Sequence, residues 1–337
     1  MDTGEGVYFH AGSWLAAQEP DCGNKKGRPR PRMFPTATRR AVMAAEGIGF
    51  TICHGKGFNQ RDLAALIFLC GAGDNGNAFC DLAHHLAAHD ERLKTSAIEY
   101  VFLDPPFIHF TAADGAPTHA WFDQANGPIT AETETIDRER LHKSVEMVLV
   151  TIRKLEARGI SPHRIIVAGY SQGGAVALHT AYGHVWGQGI SSDVFPTLGG
   201  CVSLSGWIPC KGDISIRAGK PDLARGAKTP LWWAHGKTDD KVLCSGVRAR
   251  FRELIHPRIK ECRGRIYRMG HTMKTEEVGT MANFVADILF PRPASVDSDD
   301  EELGPAFEAA GARLRAAAAA AAAAEHAGAA DATGAEL

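Results

Sequence analysis

The segment richest in chemical capacity is Gly169-Tyr170-Ser171-Gln172-Gly173, a G-x-S-x-G pentapeptide. The β-rich apolar run Arg164-Ile-Ile-Val-Ala168 leads into it. An Ala/Val/Leu pattern of helical type, beginning at Gly174-Ala175, leads out. The pentapeptide carries meaning only in that strand–turn–helix setting. There the serine sits at the tip of a sharp turn and projects Oγ above the sheet, while glycines on either side avoid clashes where strand and helix nearly touch. The helix N-terminus adds partial positive charge beside a developing oxyanion. The chemistry would be nucleophilic acyl transfer by Ser171.

A serine hydroxyl is a poor nucleophile at neutral pH and needs a base with an orienting acid. On this kind of scaffold the chain order is Ser, then Asp or Glu, then His. Leu231-Trp-Trp-Ala-His235-Gly236-Lys237-Thr238-Asp239-Asp240 reads as an apolar strand ending in a turn that bears acids. Ile266-Tyr-Arg-Met-Gly270-His271-Thr272 reads as a second strand-to-helix turn bearing a histidine. Asp239 and His271 are the natural acid and base, and Asp240 is the rival acid. His235, the last residue before a glycine turn, is expected to make a structural hydrogen bond.

Acyl transfer also needs donors for the tetrahedral oxyanion. Ala65-Leu-Ile-Phe-Leu-Cys70-Gly71-Ala72-Gly73-Asp74-Asn75-Gly76 is a strand running into a glycine-rich loop, about a hundred residues before Ser171. The expected donors are the backbone N–H groups of Ala72 and Gln172. Cys53-His54-Gly55-Lys56-Gly57 is a competing loop. The later segment is preferred because its strand is more apolar and a helical pattern (Phe79, Leu82, Leu86) follows it.

The elements that must hold these residues are legible as short apolar runs at 66–70, 100–103, 165–168, 201–204 and 231–234. Each is bounded by Gly, Pro or polar residues, as buried parallel strands are. Between them lie helical stripes. The clearest is Leu141, Val145, Val148, Leu149, Ile152 and Leu155, ending near Gly159. Repeated β–α alternation predicts an α/β fold, with a mostly parallel central sheet and helices on both faces.

Three zones follow from composition. Residues 46–291 form the expected catalytic domain. Residues 1–45 hold a basic cluster (Lys25, Lys26, Arg28, Arg30, Arg32, Arg39, Arg40) broken by prolines and read as a disordered arm. Two sharper readings of that arm are a tether to anionic surfaces helped by acylation of Cys22, and a transit peptide over the acid-free stretch 33–45. Residues 292–337 carry an acidic run (Asp297, Asp299, Asp300, Glu301, Glu302) and an alanine tract at 316–324, read as a low-complexity tail.

The 337 residues suffice for one large core. The formal net charge of −2 offers no global field for nucleic acid or an anionic membrane. No run of about 18 apolar residues suggests a transmembrane helix, and no basic region precedes an apolar run at the N-terminus. The eight scattered cysteines contain no C-x-x-C pair and read as reduced thiols in a cytoplasmic setting.

Together these segments resemble the acyl-protein thioesterase, lysophospholipase and carboxylesterase family of α/β hydrolases over roughly residues 64–290. The family's I-I-x-x-G-[FY]-S-Q-G-G-A element stands at Ile165 to Ala175, and its HGLGD-x-G loop at Cys70 to Gly76. Its W-F-D element is Trp121-Phe122-Asp123, its H-G-x-x-D-x-x-V element runs from His235 to Val242, and its histidine turn is Gly270-His271-Thr272.

The resemblance implies an α/β-hydrolase fold and a triad of Ser171, Asp239 and His271. It also implies an oxyanion hole at Ala72 and Gln172, substrate contacts at Trp121 and Phe122, and no metal or cofactor. The implied partners are an acylated protein or a small acyl ester, with no nucleic acid, at most transient membrane contact and at most a weak homodimer. The implied reaction is hydrolysis of acyl thioesters on proteins through an acyl-enzyme. The alternatives are a carboxylesterase or lysophospholipase acting on short-chain or lipid esters, and a non-catalytic binding protein on a hydrolase scaffold. Cys70 departs from the family's histidine. The stretch from Phe107 to Ala120, where an acyl channel is expected, is poor in long apolar residues and raises the short-chain alternative.

Overall fold

A computed structural model describes residues 8–9, 41–42, 49–54, 63–183, 197–214, 228–254, 259 and 261–292; in the first three of these stretches only the backbone path is described. The chain divides after Pro291 into two units, and the first holds all the elements below. In chain order these are β1 (Tyr8–Phe9), β2 (Ala41–Val42), β3 (Gly49–His54), β4 (Ala64–Leu69), α1 (Leu82–His89), α2 (Glu91–Thr95) and β5 (Ile98–Leu103). Next come β6 (Phe107–Phe110), β7 (Ala116–His119), α3 (Arg138–Ala157), β8 (Ile165–Tyr170), α4 (Gln172–Tyr182) and β9 (Gly200–Leu204). The series closes with β10 (Leu231–Gly236), α5 (Cys244–Leu254), β11 (Cys262–Tyr267), β12 (Met273–Lys274) and α6 (Thr275–Leu289).

The five apolar runs seen in the sequence become β4, β5, β8, β9 and β10, in each of which nearly every residue is buried. Residues buried on both faces are what a covered parallel sheet requires. The main sheet has the order β11-β10-β9-β8-β4-β5-β3-β2. The six strands from β11 to β5 run parallel, and β3 and β2 add antiparallel at one edge. β11 (Cys-Arg-Gly-Arg-Ile-Tyr) shows little apolar patterning because it is the opposite edge and largely solvated.

The pleat assigns the helices to faces. Alternate residues of β9 point to opposite sides. The Ser203 hydroxyl meets Gly174 of α4, whereas a side chain at Gly200 would meet Phe284 of α6. Thus α4 and α6 lie on opposite faces of the sheet. α3 packs beside α4, and α1 beside α6. The α3 stripe read from the sequence (Leu141, Val145, Val148, Leu149, Ile152, Leu155) is the buried stripe. Asp137 caps its N-terminus by accepting from the Arg140 N–H at 3.0 Å, and the chain leaves beyond it through Gly159 at φ 92°. Each buried aliphatic on that stripe contributes about 1.5–3 kcal/mol relative to exposure. Among the described residues no helix is long and apolar enough to cross a membrane.

Two pieces of the expected disordered arm are strands: β1 pairs with β12, and β2 pairs with β3. Composition reports what a segment can bury, whereas ladder pairing depends on a partner outside the segment, near at hand for β2 and far along the chain for β1. The basic cluster at 25–40 and Cys22 lie outside the described residues, as do the acidic run and alanine tract beyond 292.

α6 carries one group that works against the fold. Glu277, in its first turn, is fully buried, and neither carboxyl oxygen has a hydrogen-bond partner of good geometry. Burial, partly offset by the Lys274 N–H, pushes its pKa up to about 8. An acid raised in the folded state binds its proton more tightly there than in the unfolded chain. Its contribution is therefore full below the ordinary glutamate range and is lost as pH rises through about 8. Glu277→Gln should raise the thermal midpoint by about 5 °C at a pH above that value, with the gain shrinking toward acid pH. A gain of equal size at every pH would show that ionisation of Glu277 is not its source.

Candidate active site

Four loops converge where the parallel strands end. Ser171 follows β8, Asp239 follows β10, His271 follows β11, and the Gly71–Gly76 loop follows β4. β8 pairs with β4 on one side and β9 on the other, so the serine turn is flanked by the carboxyl ends of central strands. Ligands of open α/β sheets bind at that end.

Ser171 holds φ 54° and ψ −121°, a region that L-residues seldom occupy and that costs of order 1–3 kcal/mol. The surroundings enforce it. Its N–H donates to the Leu204 carbonyl at 2.8 Å, and its own carbonyl accepts from the Ala175 N–H at 3.1 Å. A side chain at Gly169 would overlap the Gly173 backbone, and one at Gly173 would overlap the Leu69 carbonyl. Both glycines are thus demanded by the approach of β4, β8 and α4.

Three side chains form a continuous hydrogen-bonded chain. Ser171 Oγ lies 2.8 Å from His271 Nε2, and His271 Nδ1 lies 2.8 Å from Asp239 Oδ2. With the imidazole proton on Nδ1, Nε2 is free to accept from the serine hydroxyl. The other oxygen of Asp239, Oδ1, accepts from the N–H groups of Lys241 at 2.9 Å and Val242 at 2.8 Å. Burial of Asp239 opposes its charge, but the bonds from His235 and His271 and the backbone outweigh burial and hold the carboxyl well below the usual carboxylate range. Asp240, the rival acid, is exposed and takes no part in this chain.

His235 is buried, with Nε2 2.7 Å from the Val242 carbonyl and 3.3 Å from Asp239 Oδ2. The bond to Val242 is of the structural kind expected from the sequence. Its proximity to Asp239 was not anticipated, although the four-residue spacing around a turn was the available signal.

The loop after β4 is fixed at three points. The Gly73 N–H donates to the His119 carbonyl at 2.7 Å, the Gly76 N–H donates to Asp104 Oδ1 at 2.6 Å, and the Cys70 carbonyl accepts from the Trp121 indole at 2.8 Å. The Ala72 N–H has no backbone acceptor among the described residues. Gln172 is the first residue of α4, where helix N–H groups lack intrahelical acceptors. Because Leu69 pairs with Gly169, the loop and the serine turn leave the sheet side by side. Gly55 to Gly57 of the competing loop lie outside the described residues, but the strand that leads to them ends away from Ser171. β3 runs antiparallel, so His54 stands opposite Ile98, at the start of β5 and away from Ser171.

A profile of the Phospholipase/Carboxylesterase family matches residues 57–289. The chain belongs to this family. It is 28 % identical over 226 residues to acyl-protein thioesterase 1 of Saccharomyces cerevisiae, covering 66 % of this chain and 92 % of that one. It is 31 % identical over 227 residues to a probable carboxylesterase of Oryza sativa subsp. japonica, covering 66 % and 88 %. The solved structure of Zea mays acyl-protein thioesterase 2 superposes with a TM-score of 0.59 at 27 % identity, over 72 % of this chain and all of that one. This member of the phospholipase/carboxylesterase family is therefore a serine hydrolase with the α/β-hydrolase fold, of the acyl-protein thioesterase or carboxylesterase kind.

Two expectations for the hydrolase change. Trp121 and Phe122, expected to touch substrate, are fully buried. Trp121 is held on three sides by Cys70, Gln172 and Ser144, and Phe122 packs edge-on against Trp207. Side chains without accessible surface offer a substrate nothing, so their place in the W-F-D element is structural. The third member, Asp123, accepts from the N–H and hydroxyl of Thr111, both at 2.7 Å, and so ties down the β6–β7 hairpin. Cys70, where the resemblance led to an expected histidine, is also buried. Desolvation, with Asp74 and Asp104 nearby, pushes its thiol pKa well up. It stays a neutral thiol, and its contribution to the loop is its carbonyl.

Proposed function

We propose that this hydrolase cleaves acyl thioesters on protein cysteines, with Ser171 as nucleophile, His271 as general base then acid, and Asp239 orienting the imidazole. The observation that carries the reading is the unbroken Ser171–His271–Asp239 hydrogen-bond chain on a serine held at positive φ. Ser171 Oγ attacks the acyl carbonyl while its proton passes to His271 Nε2. The Ala72 and Gln172 N–H groups receive the oxyanion. Collapse breaks the C–S bond, and the thiolate leaves with the proton from His271. Water, deprotonated by the same nitrogen, then attacks the acyl-enzyme; the bond from the acyl carbon to Ser171 Oγ breaks, His271 returns the proton to Oγ, and the carboxylic acid leaves.

A carboxylesterase acting on short-chain esters is the second reading. It is favoured by the Phe107–Ala120 stretch, which forms a hairpin with Phe107 exposed and only Ile108 and Phe110 of its strand β6 buried. The two readings share every catalytic residue and differ in the acyl group admitted. Rates on an S-palmitoyl peptide and on an aryl acetate separate them. The thioesterase reading expects kcat/KM at least about tenfold higher on the palmitoyl thioester, and the reverse preference would sink it. A fluorophosphonate should label Ser171 in either case, because only an activated serine reacts with it.

A further inference from the structure

The two proposed oxyanion donors come from separate parts of the fold. Ala72 lies in the loop after β4, and Gln172 opens α4 after β8. An oxyanion hole works only if its donors hold their spacing when charge appears on the substrate oxygen. One residue is bonded to both halves. The Trp121 indole N–H donates to the carbonyl of Cys70, two residues before Ala72, at 2.8 Å. The Trp121 backbone N–H donates to the side-chain Oε1 of Gln172 itself, also at 2.8 Å.

The Gln172 amide completes the pairing by donating from Nε2 to the Phe122 carbonyl at 2.8 Å. Its two amide atoms thus both engage the backbone of one dipeptide, Trp121-Phe122. The far side of Trp121 is fixed as well, because its carbonyl accepts from Ser144 Oγ on α3 at 2.5 Å. Trp121 and Gln172 are both fully buried, so no water competes for these bonds.

We propose that Trp121 is a positioning residue that couples the two halves of the oxyanion hole, holding the Cys70–Ala72 backbone through its indole N–H and the Gln172 side chain through its backbone N–H. The inference rests on the reading of Ser171 as nucleophile with Ala72 and Gln172 as oxyanion donors. Trp121 touches no reacting atom. It acts by keeping each donor aimed where the tetrahedral oxygen forms, so its removal should cost transition-state stabilisation and spare ground-state binding.

The test uses the full chain with two replacements at position 121. Trp121→Phe removes the indole donor and some bulk. Benzothienylalanine at the same position replaces the indole N–H by sulfur and keeps the ring shape, so it remains informative if Trp121→Phe folds poorly. Three quantities are read: kcat and KM on an aryl ester, the affinity of a trifluoromethyl ketone that forms a tetrahedral adduct with the nucleophile, and the thermal midpoint. Losing an oxyanion donor outright costs about 10²–10³-fold in kcat, so losing its alignment should cost about 10–100-fold. The expected result is a kcat loss of that size in the benzothienyl chain and a matching loss of ketone affinity, with KM within about twofold and little change in thermal midpoint.

Turnover within about threefold of wild type in a folded benzothienyl chain overturns the proposal. A loss carried by KM with ketone affinity unchanged also overturns it, since that is the signature of a substrate contact. Near-normal turnover after Ser171→Ala would instead reject the underlying assignment of the nucleophile.

Discussion

Replacing Ser171 by alanine is expected to lower kcat by about 10⁴-fold or more while leaving the fold intact. The size follows from what is lost. Without Oγ no acyl-enzyme forms, and His271 has only a bulk water to activate, at no fixed distance from the carbonyl. The oxyanion donors would still be present and should sustain a residual rate above the uncatalysed one. The folded state should tolerate the change because the Ser171 backbone is held by bonds that alanine keeps, namely N–H to Leu204 and carbonyl from Ala175. Alanine at φ 54° carries the same backbone strain as serine, so the thermal midpoint should move little. The measurement is turnover on an aryl ester and a palmitoyl thioester beside a melting curve. Turnover near the wild-type rate in the folded variant would remove Ser171 from the mechanism.

The second large effect separates two adjacent acids. Asp239→Asn should reduce kcat by about 10³–10⁴-fold, and Asp240→Asn should leave it within about twofold. Asp239 Oδ2 accepts from His271 Nδ1, while Oδ1 is occupied by two backbone N–H groups. Those backbone donors would hold the asparagine carbonyl where Oδ1 now lies and turn its NH₂ toward His271. The imidazole would then carry its proton on Nε2 and face Ser171 with a donor, so it could not take the serine proton. Asp240 is exposed and meets neither ring, so its change touches only solvated charge. Equal losses in the two variants would mean that general electrostatics, and not orientation of His271, accounts for the acid.

Much of the site was legible before any coordinates because its parts are local. The serine turn needs an apolar run, two glycines and a helix former within about a dozen residues, and all lie between Arg164 and Ala175. The five core strands announced themselves as apolar runs because residues buried on both faces have no polar alternation to hide them. Order along the chain then named Asp239 and His271. What stayed illegible was pairing that no local pattern announces. The paired strands at 8–9 and 41–42, inside an arm whose composition suggests disorder, are of this kind: two-residue strands carry no periodicity to read, and the first finds its partner only at 273–274.

The sequence by itself pointed to the class of reaction and to a candidate nucleophile and base, since each is a short pattern whose backbone geometry is set by its neighbours. Tertiary structure alone decided between acids one residue apart, because only the path of the turn after β10 shows which carboxylate reaches His271. It separated His54 from the serine turn, because strand direction puts His54 at one end of the sheet and Ser171 at the other. It also turned Trp121 and Phe122 from expected substrate contacts into buried supports. A side chain's type says what it can bond. Its burial, and the identity of the atom 2.8 Å away, follow from free energy gained across the whole packed core.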